Sequence, residues 1–270
     1  MTEWHIRYGG RGVMIYWHVE KKSACIYSQL KTCSSSEVAA MIEGLLRHCT
    51  DMKVKKNYVD THGQNEMAYA FCRLLGFDLM PRIKRIGEKK LYLPWTDQKQ
   101  NYPNLQPVLT KAIDWELIRQ QYDQMIKYAT ALRLGTAEAD TILKRFSAKA
   151  LQHPTQRALN ELGRAVKTIF LCRYLHSETL RREINEGLNV VEQWNGANSF
   201  IFYGKNSEIA TTLPKLSPCQ FPCVGKCLSI NSFIPIRSIC ASSKGISSTR
   251  SFVIMGSVAI TPNLYLLIHF

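Results

Sequence analysis

The chain has 270 residues, 46% of them hydrophobic, and 35 Lys and Arg stand against 21 Asp and Glu for a net charge of +14. That composition excludes a wholly disordered chain, and the length suits one large domain or a domain with an extension. The excess of cations points to a polyanionic partner, most simply nucleic acid.

Met1-Thr2-Glu3-Trp4-His5 has no apolar run of the kind that opens a secretory signal peptide. The nine cysteines form no secreted-type framework. Cys25, Cys33, Cys49, Cys72 and Cys172 stand alone among apolar or helical residues and read as buried thiols in a reducing cytoplasm.

In chain order, residues 12–19 are nearly all apolar and β-favouring, as in an interior strand. A polar turn at 20–23 leads to a second strand over 24–30, making a hairpin. Ser34 with Glu37 reads as a capping box. Behind it Val38, Met41, Ile42, Leu45 and Leu46 mark one helical face. Asn57-Tyr58-Val59-Asp60 is a short strand ending on a carboxylate. Met67, Ala70, Phe71, Leu74 and Leu75 repeat the helical spacing, Gly76 ends that helix, and residues 77–83 form a further strand. After residue 110 the pattern is helical. Trp115, Ile118, Tyr122, Met125, Ile126, Ala129 and Leu132 make one stripe, and Leu159, Leu162, Val166, Ile169, Phe170 and Tyr174 another. A last helix starts near Ser177, with Leu180, Ile184, Leu188 and Val191 inward. The expected architecture is a small mixed sheet with a helical block before a final helix.

From Ile209 to Phe270 there is no Asp or Glu, while five of the ten prolines and four of the nine cysteines fall there. Three readings fit this stretch: a disordered basic tail, a small metal-binding extension, or residues translated after a shift of reading frame. Cys219, Cys223 and Cys227 recur every four residues, which is no usual zinc spacing. Phe252 to Phe270 is uncharged and mostly apolar, but Ser257, Thr261, Pro262 and Asn263 interrupt it as a membrane helix.

A carboxylate at the end of a buried strand is a usual place for a metal ligand, because the strand holds it rigidly while it escapes the core. Asp60 occupies such a position, although many strand-end aspartates only start a turn or cap a helix. The final helix offers Glu183, Glu186 and Glu192. At roughly 100° per residue Glu186 points away from the apolar stripe, and Glu183 and Glu192 flank it on either side. Periodicity does not choose between those two.

Tyr58-Val59-Asp60-Thr61-His62-Gly63, Leu74-Leu75-Gly76-Phe77, Met80-Pro81-Arg82 and Gly187-Leu188-Asn189-Val190-Val191-Glu192 resemble motifs of one family, as does the block from Ile113-Asp114-Trp115 to Arg133-Leu134-Gly135. The family is the class II replicative (Tn-three family) transposases, and the resemblance covers roughly residues 3–208. It implies an α/β, RNase H-like mixed sheet with an α-helical insertion, about 111–176, before the final catalytic helix. It further implies a DDE polynucleotidyl transferase that cleaves transposon ends and joins them to target DNA by two-metal phosphoryl transfer, with Mg²⁺ or Mn²⁺ as cofactor. Asp60 is then the second acidic residue and a metal ligand, and Glu192, in a Leu-Asn-x-x-Glu pattern, the third. The full-length family implies a dimer acting on DNA, with no small-molecule substrate and no membrane partner.

The departures shape the expectation. The family's first catalytic Asp belongs on a strand upstream of Gly12, and Glu3 is the only carboxylate in residues 1–11. The resemblance stops near residue 208, where the acid-free tail over 209–270 begins, disordered or frameshifted. The expected molecule is a transposase fragment with the first strand missing, weak metal affinity, an exposed sheet edge and little strand transfer by itself. The dense basic run with Arg82, Lys84, Arg85, Lys89 and Lys90 reads either as a grip on phosphates or as a merely solvated loop. His62 either orients a phosphate or a metal-bound water or is simply a turn histidine, and Arg181 and Arg182 contact DNA or pair with nearby carboxylates. A non-catalytic basic DNA-binding or interaction module is the alternative, and a membrane-associated protein anchored by 252–270 a third reading.

Overall fold

The computed structural model describes residues 3–5, 10–20, 25–48, 50–60, 64–147, 153–201, 252–260 and 266–269. It is a mixed α/β structure whose contacts divide it into two compact units: Met1–Asp60 together with Asn185–Phe270, and Thr61–Ile184.

The first unit is built on a sheet. Strand β1 (Glu3–His5) pairs antiparallel with the start of β2 (Gly10–Glu20), and β3 (Cys25–Lys31) returns antiparallel along β2, from Met14↔Lys31 to Val19↔Cys25. Tyr16, Trp17, His18, Val19 and Glu20 are all buried, so this stretch of β2 is covered on both faces, which explains its unbroken apolar run. Helix α1 (Glu37–Arg47) buries Val38, Met41, Ile42 and Leu45, four of the five residues of the expected stripe. Its cap differs from the expectation. Ser36, not Ser34, holds the N-cap and accepts from the Ala39 N–H, because β3 runs on to Lys31 and a turn over Thr32–Ser35 delays the helix. Ser34 instead donates its backbone N–H to Glu3.

Two close approaches fix α1 on the sheet. Gln29 of β3 donates to the Ala40 carbonyl at 2.6 Å, and the His18 ring lies so near Gly44 that a Cβ there would fall 2.0 Å from Nε2. Strand β4 (Lys56–Val59), with Asn57, Tyr58 and Val59 buried, leads to Asp60.

The acid-free stretch, read from sequence as one tail, contains two strands. Strand β8 (Phe252–Ile260) runs antiparallel to β2 and parallel to β4, and β9 (Leu266–His269) pairs antiparallel with the end of β8. The triad of cysteines at 219, 223 and 227 lies outside the described residues. No described helix is long and apolar enough to cross a membrane.

The second unit is mainly helical. Helix α2 (Glu66–Leu75) starts on Asn65, whose side chain accepts from Ala68 N–H at 2.7 Å, and ends as expected on Gly76 in the left-handed region at φ 84°. After β5 (Asp78–Pro81) come β6 (Leu91–Leu93) and β7 (Leu109–Ala112), a short parallel pair that the sequence pattern does not announce. Helices α3 (Trp115–Leu134), α4 (Ala139–Ser147) and α5 (Pro154–His176) follow, and α6 (Glu178–Ile201) begins in this unit.

Helix α5 packs on both α2 and α3, so its buried set (Ala158, Leu159, Ala165, Phe170, Leu171, Tyr174) is wider than one stripe, while Ile169 is exposed. Its Gly163 meets the Glu66 carbonyl so closely that a Cβ would fall 1.9 Å from the oxygen. Trp115 and Tyr122, expected inward on α3, are exposed. Cys25 and Cys72 are buried and burial pushes both thiols up to about 12, whereas Cys33 is half-buried and Cys172 exposed, contrary to the reading of all as core thiols.

Candidate functional site

Asp60 follows β4 directly. Its carboxylate is half-buried at the point where the chain leaves a strand whose preceding three residues are buried. The local sequence explains this placement. Asn57, Tyr58 and Val59 supply the buried strand, and the sheet ends where the side chain becomes charged. His62 lies outside the described residues.

The last helix turns Ile184, Leu188 and Val191 into the core, which leaves Glu183 and Glu192 half-buried at the sides and Glu186 exposed, as its period requires. Asp60 and Glu192 belong to the same compact unit, whereas Glu183 belongs to the other. Among the described residues no three His, Cys, Asp or Glu side chains come together as a metal-holding group. The described carboxylates therefore do not form a complete cage for a divalent cation, and two carboxylates alone oppose a metal pair with too little negative charge.

The basic run follows β5 in the second unit. Arg82 and Lys89 are half-buried, and Lys84, Arg85 and Lys90 are exposed. Arg85 sits at φ 52° ahead of a short 3₁₀ turn at Ile86–Glu88, and its guanidinium lies 3.9 Å from the Glu88 carboxylate, both well exposed. A pair that exposed and that long holds the Arg85 charge only loosely. The arginines of α6 are differently engaged. Arg181 donates to the Tyr174 and Leu175 carbonyls at 2.7 and 2.8 Å, tying the end of α5 to the start of α6, and Arg182 pairs with Glu178 at 2.6 Å.

Two charge clusters hold the second unit together. Glu66 at the start of α2 pairs with Lys167 of α5 at 2.8 Å, which holds its carboxyl below the usual range against the opposing effect of burial. Glu161, nearly buried on α5, binds Lys111 of β7 at 2.6 Å and Arg164, and accepts from the backbone N–H of Asp114, the N-cap of α3. Sequence patterning signals neither cluster, because the partners are far apart along the chain.

Sequence reasoning also missed an exposed aromatic pair. Trp95 and Trp115 follow the parallel strands β6 and β7, their ring centroids are 5.9 Å apart, and the Trp115 indole donates to the Pro94 carbonyl.

Residues 1–217 match the family model described as the Tn3 transposase DDE domain. Among characterised relatives, the transposase for transposon Tn1546 of Enterococcus faecium is 34% identical over 200 residues, covering 74% of this chain and 20% of its own length. The transposase for Tn501 of Pseudomonas aeruginosa is 31% identical and that for Tn21 of Escherichia coli 29%, each over 75% of this chain and 20% of its own length. The chain thus spans about a fifth of the length of the relatives it matches. No solved structure matches it.

Proposed function

The chain belongs to the Tn3 transposase DDE domain family, and from that premise we propose that it acts on DNA as the part of a transposase catalytic domain that carries two of its acidic residues, Asp60 and Glu192. The observation that carries this reading is the coincidence of the family match with Asp60 just past a strand end and Glu192 on the later part of α6, which falls in the same unit. An RNase H-like sheet is supported by the order of its parts: an antiparallel hairpin, a helix, and a strand that ends in the acidic residue and runs parallel to an internal strand.

In this family the chemistry asked of the site is DNA cleavage and strand transfer, for which divalent metal ions supply the activation of the attacking oxygen and the stabilisation of the leaving one. Asp60 and Glu192 would share in holding a cation, Mg²⁺ or Mn²⁺, but the described residues give it no third carboxylate. We therefore assign these residues weak cation binding and little strand transfer on their own. Lys84, Arg85 and Lys90 present exposed positive surface suited to phosphates, Arg85 only loosely paired with Glu88, and the residues 61–184 as a whole carry 20 Lys and Arg against 12 Asp and Glu.

The test is binding of the full chain to a duplex carrying a transposon end and to an unrelated duplex, each over a range of salt, with and without Mn²⁺. Our reading predicts salt-dependent binding that Mn²⁺ strengthens in the wild type and not in Asp60→Ala. Salt-dependent binding indifferent to Mn²⁺ would favour the alternative, a basic DNA-binding or interaction module without catalysis. No binding to either duplex would overturn both.

A further inference from the structure

The sheet of the first unit is joined by a strand from outside the family match. Strands β2 and β4 are not neighbours in the sheet order; β8 lies between them. β8 pairs with β2 from Val13↔Ile260 to Glu20↔Val253, and with β4 from Lys56↔Phe252 to Tyr58↔Ile254. Ile254 is thus paired on both sides, to Val19 and to Tyr58. Beyond the β4 pairing, the same side of β8 is taken over by β9 at Ser257↔His269. The family model ends at residue 217, well before β8 begins.

The sequence of β8 suits this inner place. Phe-Val-Ile-Met-Gly-Ser-Val-Ala-Ile contains no charge and is rich in β-favouring residues, as a strand flanked on both sides requires. Its outer neighbours bring no substitute. β2 is otherwise paired by β1 and β3, and without β8 no strand pairing among the described residues joins the hairpin to β4, the strand that leads to Asp60.

We propose that residues 252–260 serve as an in-cis complement to the family-matched part: the slot between β2 and β4 is a receptor for an extended, uncharged β-strand, and this chain fills it with its own distal segment and thereby fixes Asp60. The recognition is that of strand addition, with main-chain hydrogen bonds to both neighbours giving affinity and β-favouring side chains giving preference. An unfilled slot would leave two open strand edges, a template for pairing with other chains. This inference concerns the fold around Asp60 and stands whether or not the chain acts on DNA.

The test is hydrogen exchange on the full wild-type chain, with light scattering to fix its mass and Ile254→Pro as the variant. The proposal predicts that amides of 253–260 exchange with those of 13–20, slowed about a thousandfold or more against an unprotected chain, in a monomer. It also predicts that Ile254→Pro, which removes a ladder donor and imposes a clashing ring, releases both stretches together and promotes association. Unprotected amides at 253–260 in a chain that protects 13–20 would overturn the proposal, even if the proline variant fails to fold. So would an Ile254→Pro chain with unchanged protection at 13–20. Protection in a dimer whose β8 cross-links to β2 of the other copy would overturn the in-cis claim in favour of exchange between chains.

Discussion

Gly163 and His18 show how single residues set the tolerances of the two units. At Gly163 the obstacle to a side chain is backbone, the Glu66 carbonyl, so neither α5 nor α2 can yield by a rotamer change. Gly163→Ala should destabilise the chain by about 2–3 kcal/mol despite the better helix propensity of alanine, a loss read as a lower urea midpoint. An unchanged midpoint would mean that α5 and α2 are not in this contact.

His18 is fully buried, and burial pushes its pKa down from 6.5 to about 4, with the Met41 backbone opposing the shift. The unfolded chain takes up this proton below about 6.5 and the folded chain does not until about 4. Stability from this ring is therefore complete above the unfolded value and is lost as the pH falls through that window, by on the order of 3 kcal/mol. Half-buried His48, also shifted down, adds to the same trend. His18→Gln should flatten the pH dependence of the urea midpoint between about pH 7 and about pH 4.5, and an equal slope in variant and wild type would refute the assignment.

At the scale of elements, local pattern made α1, α2, α6 and the hairpin legible, because one buried face or one buried strand writes a period into the sequence. Gly76 was legible as a helix end for the same local reason. The Ser36 cap was misplaced by two residues because Ser34 and Ser36 are chemically equal candidates and only the length of β3 separates them. The three-residue β6 carries too few residues to establish a period, whereas α4 writes a short one, with Ala139, Ile142, Leu143 and Phe146 buried at i, i+3, i+4 and i+7. The wider burial of α5 reflects helices on two sides, which no single helical wheel reveals.

The β8 register leads to a prediction about the site. The parallel pairing of β4 with β8 ends at Tyr58↔Ile254; carried two residues further, the same register would set Asp60 level with Gly256, itself opposite Trp17. Gly256→Asp should thus add a carboxylate beside Asp60 and raise Mn²⁺ affinity about tenfold or more, measured by calorimetry, because cation affinity follows the charge of the ligand set. Without metal the variant should be less stable, since two like charges then share one edge. A Gly256→Asp chain with wild-type Mn²⁺ affinity would argue against this register.

For the whole molecule, the sequence conveys the sign of the partner better than the geometry of the site. The net charge of +14 and the exposed Lys84, Arg85 and Lys90 lead us to expect DNA binding that weakens steeply with salt, and Lys84→Ala with Lys90→Ala should reduce the salt slope by about 2 if both contact phosphates. An unchanged slope would move the contact surface elsewhere. Asp60 could be picked out from the sequence because an apolar strand ends on it. The choice between Glu183 and Glu192 could not be made from their flanking places on the helix, and the boundary between the units, which cuts α6 between Ile184 and Asn185, does not make it either. The placing of β8 was beyond reach for another reason: pairing across the whole length of a chain leaves no local signature.

Asp60 and Glu192 are proposed to act on one cation. Calorimetry of Mn²⁺ with the full chain, Asp60→Ala, Glu192→Ala and Glu183→Ala tests it most directly. Weak binding by the wild type and by Glu183→Ala, and none by the other two variants, is the expected result. Wild-type binding that survives both Asp60→Ala and Glu192→Ala, or a folded wild type that binds no Mn²⁺, would contradict it.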